Sequence, residues 1–429
     1  MKKRAFSPLY AFLYTPVALS ARLFFRYWNV TGKEDFPKGK KPVIIVSNHQ
    51  NALMDPLLAC VVSPRQLHFL TRADVFKNKI FRKVVFAMNM LPVYRQHDKV
   101  DDMGGKNQKT FETAVARLEN GAVVGIYPEG NHGNQKHLRP LKKGLARLIE
   151  IAANESDQLQ EVQLVPVGID YSEYDDARAG ISVNFGKPFT VNHVLFTDED
   201  PPVRYRKTME VVKAHLSASM IDHSKEHYEV LRAAEHTLIF EKGYKNWNGT
   251  LAKLHEIKKS ISSNLDPSVD ELAKTTQQEL DNHGTRFVDV LRAHHNKATY
   301  AFLLILLFPL SLPAFIFHYP LWLIIKRMIK KMVKDPVFVS TFKLVLSFAL
   351  YPLAWLISVG VTSIFFDIKY VLIGLLGLLL SGIIALKVID IWSDVQSKRN
   401  GKKFINSAPK AYEGFVKLLG EVQKILTTS

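Results

Sequence analysis

Short apolar runs alternate with amphipathic ones between residues 43 and 189. Runs at 43–46, 67–70, 91–94, 122–127, 163–168 and 181–185 predict strands. Stretches at 56–62, 79–88, 106–119 and 142–153 predict helices. In the longest of these helices Phe111, Val115 and Leu118 recur at helical spacing. Strands alternating with helices predict a layered α/β domain. Upstream, residues 1–30 read as a membrane-surface helix or helix pair. Pro8 and Pro16 interrupt the segment and Arg22 and Arg26 fall within it, which argues against a signal peptide. Phe12, Leu19, Leu23 and Phe24 would enter lipid while the arginines face headgroups.

From about residue 197 the pattern changes. Asp198-Glu199-Asp200-Pro201-Pro202 marks a boundary, and residues 203–297 are charged and helical in pattern. Three runs without Asp, Glu, Lys or Arg follow, at 300–325, 344–366 and 370–386. Each approaches the roughly 20 residues needed to cross a bilayer. The division this predicts is an interfacial helix at 1–30, an α/β mixed-sheet domain at 31–196, a helical extension at 197–297, a transmembrane region at 298–392 and a basic cytosolic tail at 393–429. Pro309, Ser311, Pro313 and Pro320 would let the first apolar run enter and return as a broken hairpin. The next two runs would form a conventional hairpin through Asp367-Ile368-Lys369.

Charge sharpens this picture. The chain of 429 residues carries a net charge of +17. Its basic residues flank the apolar runs: Lys326, Arg327, Lys330, Lys331 and Lys334 after the first, Lys398, Arg399, Lys402 and Lys403 after the third. That is the positive-inside pattern, and it suits anionic headgroups rather than nucleic acid. It predicts an integral membrane protein whose soluble domain lies on the cytoplasmic face. The one cysteine, Cys60, excludes an internal disulfide. Fifteen scattered histidines, the His294-His295 pair included, show no metal-ligand spacing.

Candidate chemistry sits at two strand ends. The run at 43–46 leads into Ser47-Asn48-His49, with Asp55 about one turn later. A histidine there can take a proton from a hydroxyl, and a carboxylate can hold the ring and stabilise the imidazolium. Taken alone, His49 reads equally well as a loop histidine and Asp55 as a helix cap. The strand at 122–127 runs into Pro128-Glu129-Gly130, followed by the basic cluster Arg139-Pro140-Leu141-Lys142-Lys143. Open α/β sheets collect ligands at the carboxyl ends of their strands, so these residues point to a polar anionic substrate. No Gly-x-Ser-x-Gly elbow supports a serine hydrolase.

With these residues in view, the chain resembles the glycerolipid acyltransferase family with its PlsC-like domain. Four motifs carry the resemblance, in order, over about residues 30–190: Asn48-His49 with Asp55, Leu91-Pro92-Val93-Tyr94-Arg95, Tyr127-Pro128-Glu129-Gly130, and Leu164-Val165-Pro166-Val167. The resemblance implies transfer of a fatty acyl group from a thioester, on coenzyme A or acyl carrier protein, to a glycerol phosphate acceptor. No cofactor is needed. His49 would be the base and Asp55 its orienting group. Arg95, Arg139 and Lys142 would bind acceptor phosphate, Glu129 would bind acceptor hydroxyls or fix the site, Asn48 would support the turn, and Gly130 would allow close backbone approach. The expected partners are membrane lipids, the donor and the acceptor. The acceptor is glycerol 3-phosphate, or alternatively its 1-acyl ester or another lysophospholipid. From another class, the chain could be an inactive membrane scaffold. Two departures bear on these expectations. Five residues separate His49 from Asp55 where the family usually has four. Asn131-His132-Gly133 also stands where Thr-Arg-Ser is usual, so a phosphate-binding arginine is absent there.

Overall fold

The computed structural model describes residues 6–77, 79–95, 98, 100–133, 135–294 and 298–428. The basic start at 1–4, His295 and Lys297 lie outside them. The chain divides into two compact units, residues 1–222 and 223–429.

The first unit is built on a seven-stranded mixed sheet. Its strands are β1 (Tyr27–Thr31), β2 (Val43–Ser47), β3 (Leu67–Arg72), β4 (Leu91–Val93), β5 (Val123–Ile126), β6 (Gln163–Tyr171) and β7 (Gly180–Phe185), in spatial order β1-β7-β6-β2-β5-β3-β4. Strand β2 pairs in parallel with both β5 and β6, Val43 standing opposite Val123 and Gln163. Strands β3 and β4 continue the parallel run, whereas β7 is antiparallel to β6. The central strands are buried on both faces, which explains why they read as unbroken apolar runs. Val43, Ile44, Ile45 and Val46 are each at most 1% exposed. Burying such a side chain contributes about 1.5–3 kcal/mol before the entropy of folding is set against it.

Helices α1 (Pro8–Phe24), α2 (Met54–Val62), α3 (Lys79–Ala87), α4 (Met103–Glu119), α5 (Gly144–Glu155), α6 (Asn192–Leu195) and α7 (Pro201–Ser219) accompany the sheet. Helix α1 starts at an N-cap, Ser7, whose side chain accepts the N–H of Tyr10, with Pro8 at the first helical position. Phe12, Leu19 and Leu23 stand exposed along it. Two expectations change here. Residues 27–30, read as the end of the surface helix, belong to edge strand β1, which pairs with β7. Helix α7, assigned by composition to the extension, supplies Met209, Val212 and Leu216 to the core of the first unit. The charged face of α7 dominated its pattern and masked this buried stripe.

The second unit is helical: α8 (Tyr228–Lys242), α9 (Trp247–Asn264), α10 (Pro267–Asn282), α11 (Phe287–Ala293), α12 (Ala298–Met332), α13 (Val339–Phe365), α14 (Ile368–Ser407) and α15 (Pro409–Thr428). Among the described residues three helices are long and apolar enough to cross a membrane, Thr299–Met332, Pro336–Phe365 and Ile368–Ser407. The first apolar run is not a broken hairpin. It is one continuous helix that carries Pro309, Pro313 and Pro320 inside it. Its close antiparallel partner is α14. Tyr300 bonds Asp394, while Ser381 Oγ donates to Leu310 O and accepts the Ala314 N–H. Local pattern could not reveal this pairing, because it joins segments some 70 to 90 residues apart.

Candidate active site

Parallel pairing of β2 with β5 sets their carboxyl ends side by side. His49 leaves the end of β2, and Glu129 stands three residues beyond β5. The His49 Nδ1 and Asp55 Oδ2 are 2.8 Å apart. We assign the Nδ1 proton to this bond, which leaves the lone pair on Nε2. Asp55 is fully buried and accepts two further bonds. The Asn51 N–H reaches Oδ2 at 2.8 Å, and the Tyr171 hydroxyl reaches Oδ1 at 2.6 Å. The fifth residue between His49 and Asp55 is therefore accommodated without loss of contact. The turn absorbs it at Ala52, whose φ is +26°. An L-residue in that region carries a cost of about 1–2 kcal/mol, which the surrounding bonds hold in place.

Glu129 is 2% exposed, and both of its oxygens are engaged. Oε1 accepts the backbone N–H of His49 at 2.6 Å. Oε2 accepts the backbone N–H of Arg139 at 3.1 Å and lies 2.8 Å from Arg139 Nε. Burial raises its carboxyl above the ordinary carboxylate range, and the charge of Arg139 opposes that rise. Arg139 Nη2 also donates to the carbonyls of His49 and Asn131. Arg139 was expected to bind phosphate. Its guanidinium joins the two strand-end turns through Nε and Nη2. Gly130 sits at φ +73°, where glycine is favoured, and its N–H donates to Tyr127 O. The Lys142 N–H donates to Pro128 O, and its side-chain stem passes beside Gly130. The exposed end of Lys142 is thus near the turn.

Asn48 is fully buried. Its Nδ2 donates to Ile169 O at 2.9 Å and its Oδ1 accepts Ile169 N–H at 2.8 Å. The amide so bridges β2 to β6, with both ends occupied by backbone. The His49 ring packs against Tyr127, centroids 4.5 Å apart, and meets His132 edge-on at 5.6 Å.

Arg95 lies apart from this cluster. Strand β4 is three strands from β2, about 14 Å at the usual spacing. Its neighbour there is Arg72, at the carboxyl end of β3. Burial and the like charge of Arg72 lower the Arg95 pKa, against Asp98 and Asp74. Arg72 itself forks onto Asp74 through Nε at 2.8 Å and Nη2 at 2.5 Å. Two neighbouring guanidiniums at strand ends suit an anion. The sequence reading missed both Arg72 and Tyr171. Arg72 follows an apolar strand in Leu67-His68-Phe69-Leu70-Thr71-Arg72, a position like that of Arg95 after β4, and that parallel was the available signal. Nothing local marks Tyr171, which meets Asp55 across 116 residues. Among the described residues no group of three or more His, Cys, Asp or Glu side chains could hold a metal ion.

The family model named Acyltransferase matches residues 28–170. Over 110 residues the chain is 28% identical to glycerol-3-phosphate O-acyltransferase 2 of Saccharomyces cerevisiae, covering 26% of this chain and 14% of that protein. Over 122 residues it is 23% identical to the 1-acyl-sn-glycerol-3-phosphate acyltransferase of Bacillus subtilis, covering 28% of this chain and 56% of that one. The chain therefore spans little more than half of one relative and a small part of the other. The crystal structure of the 1-acyl-sn-glycerophosphate acyltransferase PlsC from Thermotoga maritima aligns with 48% of this chain and 80% of that one, at 18% identity and a TM-score of 0.35. The matched span holds β2 to β5 and nearly all of β1 and β6, together with His49, Asp55, Arg95, Glu129 and Arg139. Over residues 28–170 this chain is similar to the acyltransferase family.

Proposed function

We propose that this chain is a membrane-bound O-acyltransferase that moves a fatty acyl group from a thioester to glycerol 3-phosphate. The observation that carries the reading is the His49–Asp55 contact at 2.8 Å, held between two strand-end turns. The acceptor hydroxyl lies against His49 Nε2, which takes its proton as the oxygen attacks the thioester carbonyl. Asp55 holds the ring and stabilises the imidazolium. The tetrahedral oxyanion then collapses, the carbon–sulfur bond breaks, and the departing thiolate takes the proton back from His49. The backbone N–H groups of His49, Gly130 and Gly133 already have acceptors, so the oxyanion's donors come from other groups. Arg72 and Arg95 hold the acceptor phosphate. The thioester supplies the driving force, and no cofactor enters.

The long apolar helices anchor the enzyme, and the cytoplasmic assignment of the catalytic unit rests on the basic cluster Lys398 to Lys403 at the end of α14, since the cluster at Lys326 to Lys334 closes the opposite end of α12. The inactive-scaffold alternative rested on the five-residue spacing, and the His49–Asp55 contact at 2.8 Å supports the active reading over it. Acylation of 1-acylglycerol 3-phosphate uses the same chemistry. Purified protein given radiolabelled acyl-CoA with either glycerol 3-phosphate or its monoacyl ester separates the acceptors. His49→Ala should lower turnover by about 10²–10⁴-fold in a folded protein. Near-normal turnover in that variant would refute the reading.

A further inference from the structure

Asp55 carries more than the bond to His49. Tyr171, at the last position of β6, donates its hydroxyl to Asp55 Oδ1 at 2.6 Å, on the oxygen opposite the one that faces His49. Both residues are fully buried. The Tyr171 ring is wedged between Phe25, 6.1 Å away, and Tyr174, 5.6 Å away. The hydroxyl is thus delivered by a rigid strand from the far side of β2. We propose that Tyr171 is a positioning residue. Its hydroxyl fixes the carboxylate that orients His49 and draws off part of its charge, so that a relay of Tyr171, Asp55 and His49 sets the strength of the base.

The physical argument has two parts. A buried carboxylate with one donor can rotate, whereas three donors on two oxygens fix it. The Asn51 N–H and Tyr171 hydroxyl hold Asp55 whether or not the ring is in place. A hydrogen bond to an ionised acceptor also disperses its charge. Less charge on Asp55 stabilises the imidazolium less, so the ring releases its proton more readily to the leaving thiolate. Burial and the Asp55 charge hold the Tyr171 phenol well above its ordinary range, so it remains a donor throughout the working pH.

Other groups also face His49, and they set a background the relay modulates. Tyr127 and His132 pack on its ring, Glu129 accepts its backbone N–H, and Arg139 donates to its carbonyl. Tyr127 and Tyr174 are the titratable neighbours of Tyr171 besides Asp55.

The proposal rests on His49 being the base, and its test separates the two. In full-length protein in detergent, two changes at position 171 should act in opposite directions. Tyr171→Phe keeps the ring and removes the donor, concentrating charge on Asp55. The acid limb of the kcat profile should move up in pH by ~0.5–1 unit, with the acceptor KM unchanged. Site-specific 3-fluorotyrosine at 171 keeps the ring and makes a stronger donor, so the limb should move down. The His49 ring titration, followed by NMR of ring-labelled histidine and assigned with His49→Gln, should shift with the same signs. It does so even if the wild type transfers no acyl group, an outcome that would sink the proposed function and leave the relay standing. If kcat falls by one factor at every pH and the titration does not move, Tyr171 is merely structural and the proposal fails. If Tyr171→Phe does not fold, the fluorotyrosine protein decides alone, and an unmoved titration there overturns the relay.

Discussion

Glu129 reaches from the turn after β5 to the turn after β2, taking the His49 backbone N–H on Oε1 at 2.6 Å. A carboxylate in the Pro-Glu-Gly motif therefore shapes the loop that carries the base. Burial is the largest influence on it and raises its pKa, with Arg139 and the backbone N–H groups of His49 and Arg139 opposing the rise. Glu129→Gln keeps an acceptor for the His49 N–H but sets its NH2 against the Arg139 donors, so it should cost stability, though less than Glu129→Ala. Glu129→Ala orphans that N–H and leaves Arg139, 19% exposed, without its carboxylate. It should cost about 3 kcal/mol and most of the turnover. The sign with pH follows from the raised value. The folded state holds this proton up to a higher pH than the unfolded chain, so the group's contribution is fully present below the unfolded value of about 4.3 and is lost as pH rises through the folded value. The stability deficit of Glu129→Gln should therefore be larger at pH 4 than at pH 7. Denaturation midpoints that show a growing deficit toward pH 7 would mean that Arg139, not burial, governs Glu129.

Much of this site was legible because strand ends and turn chemistry are local. Val43 to Val46 could be read as a buried strand, and so the address of His49 followed. The Pro-Glu-Gly turn was legible for the same reason. What was not legible depends on sheet order. That Asn48 bonds Ile169, Tyr171 bonds Asp55 and Glu129 bonds the His49 N–H follows from β6 and β5 flanking β2, which no local period encodes. Strand β1 was obscured because Tyr27-Trp28-Asn29-Val30 continues the aromatic and apolar character of α1. An edge strand with one partner needs no long apolar run.

Asn48 was placed with the substrate-binding residues, but both ends of its amide are held by Ile169. Asn48→Ala would leave a buried N–H and C=O of β6 unpaired, at about 1–3 kcal/mol for each group. Thermal stability should fall and kcat with it, as the turn bearing His49 loosens, while the acceptor KM changes little. A variant with wild-type melting and a strongly raised acceptor KM would instead show that Asn48 touches the acceptor.

Arg72 and Arg95 are expected to share one anion. Either arginine replaced by alanine should raise the acceptor KM by roughly tenfold or more, since hydrogen bonds to charged groups are worth about 1.5–3 kcal/mol. The donor KM should hold. The double variant should cost less than the two losses combined, because groups on one phosphate are coupled. Arg95→Lys should recover only part of the loss, as a point charge lacks the planar fork. Strict additivity in initial-rate measurements would place the two guanidiniums on separate ligands. A change confined to the donor KM would move the site to the thioester's carrier.

The pairing of Tyr300 with Asp394, and of Leu310 and Ala314 with Ser381, runs α12 and α14 antiparallel. If both helices cross the bilayer, residue 298 and the end of α14 lie on one face, so the number of crossings between them is even. Three successive plain crossings would instead make α12 and α14 parallel. Introduced cysteines read this directly. The native Cys60 contributes little labelling, since burial pushes its thiol up to about 12. The exposed Asn282, Lys402 and Lys334 are suitable positions. In sealed vesicles a membrane-impermeant maleimide should label Asn282→Cys and Lys402→Cys from the same side, and Lys334→Cys from the other. The unmodified protein should resist alkaline carbonate and require detergent. If Asn282→Cys and Lys402→Cys react from opposite faces, the antiparallel pair does not span the bilayer as such. If the chain washes off with carbonate, the apolar helices are not membrane spans at all.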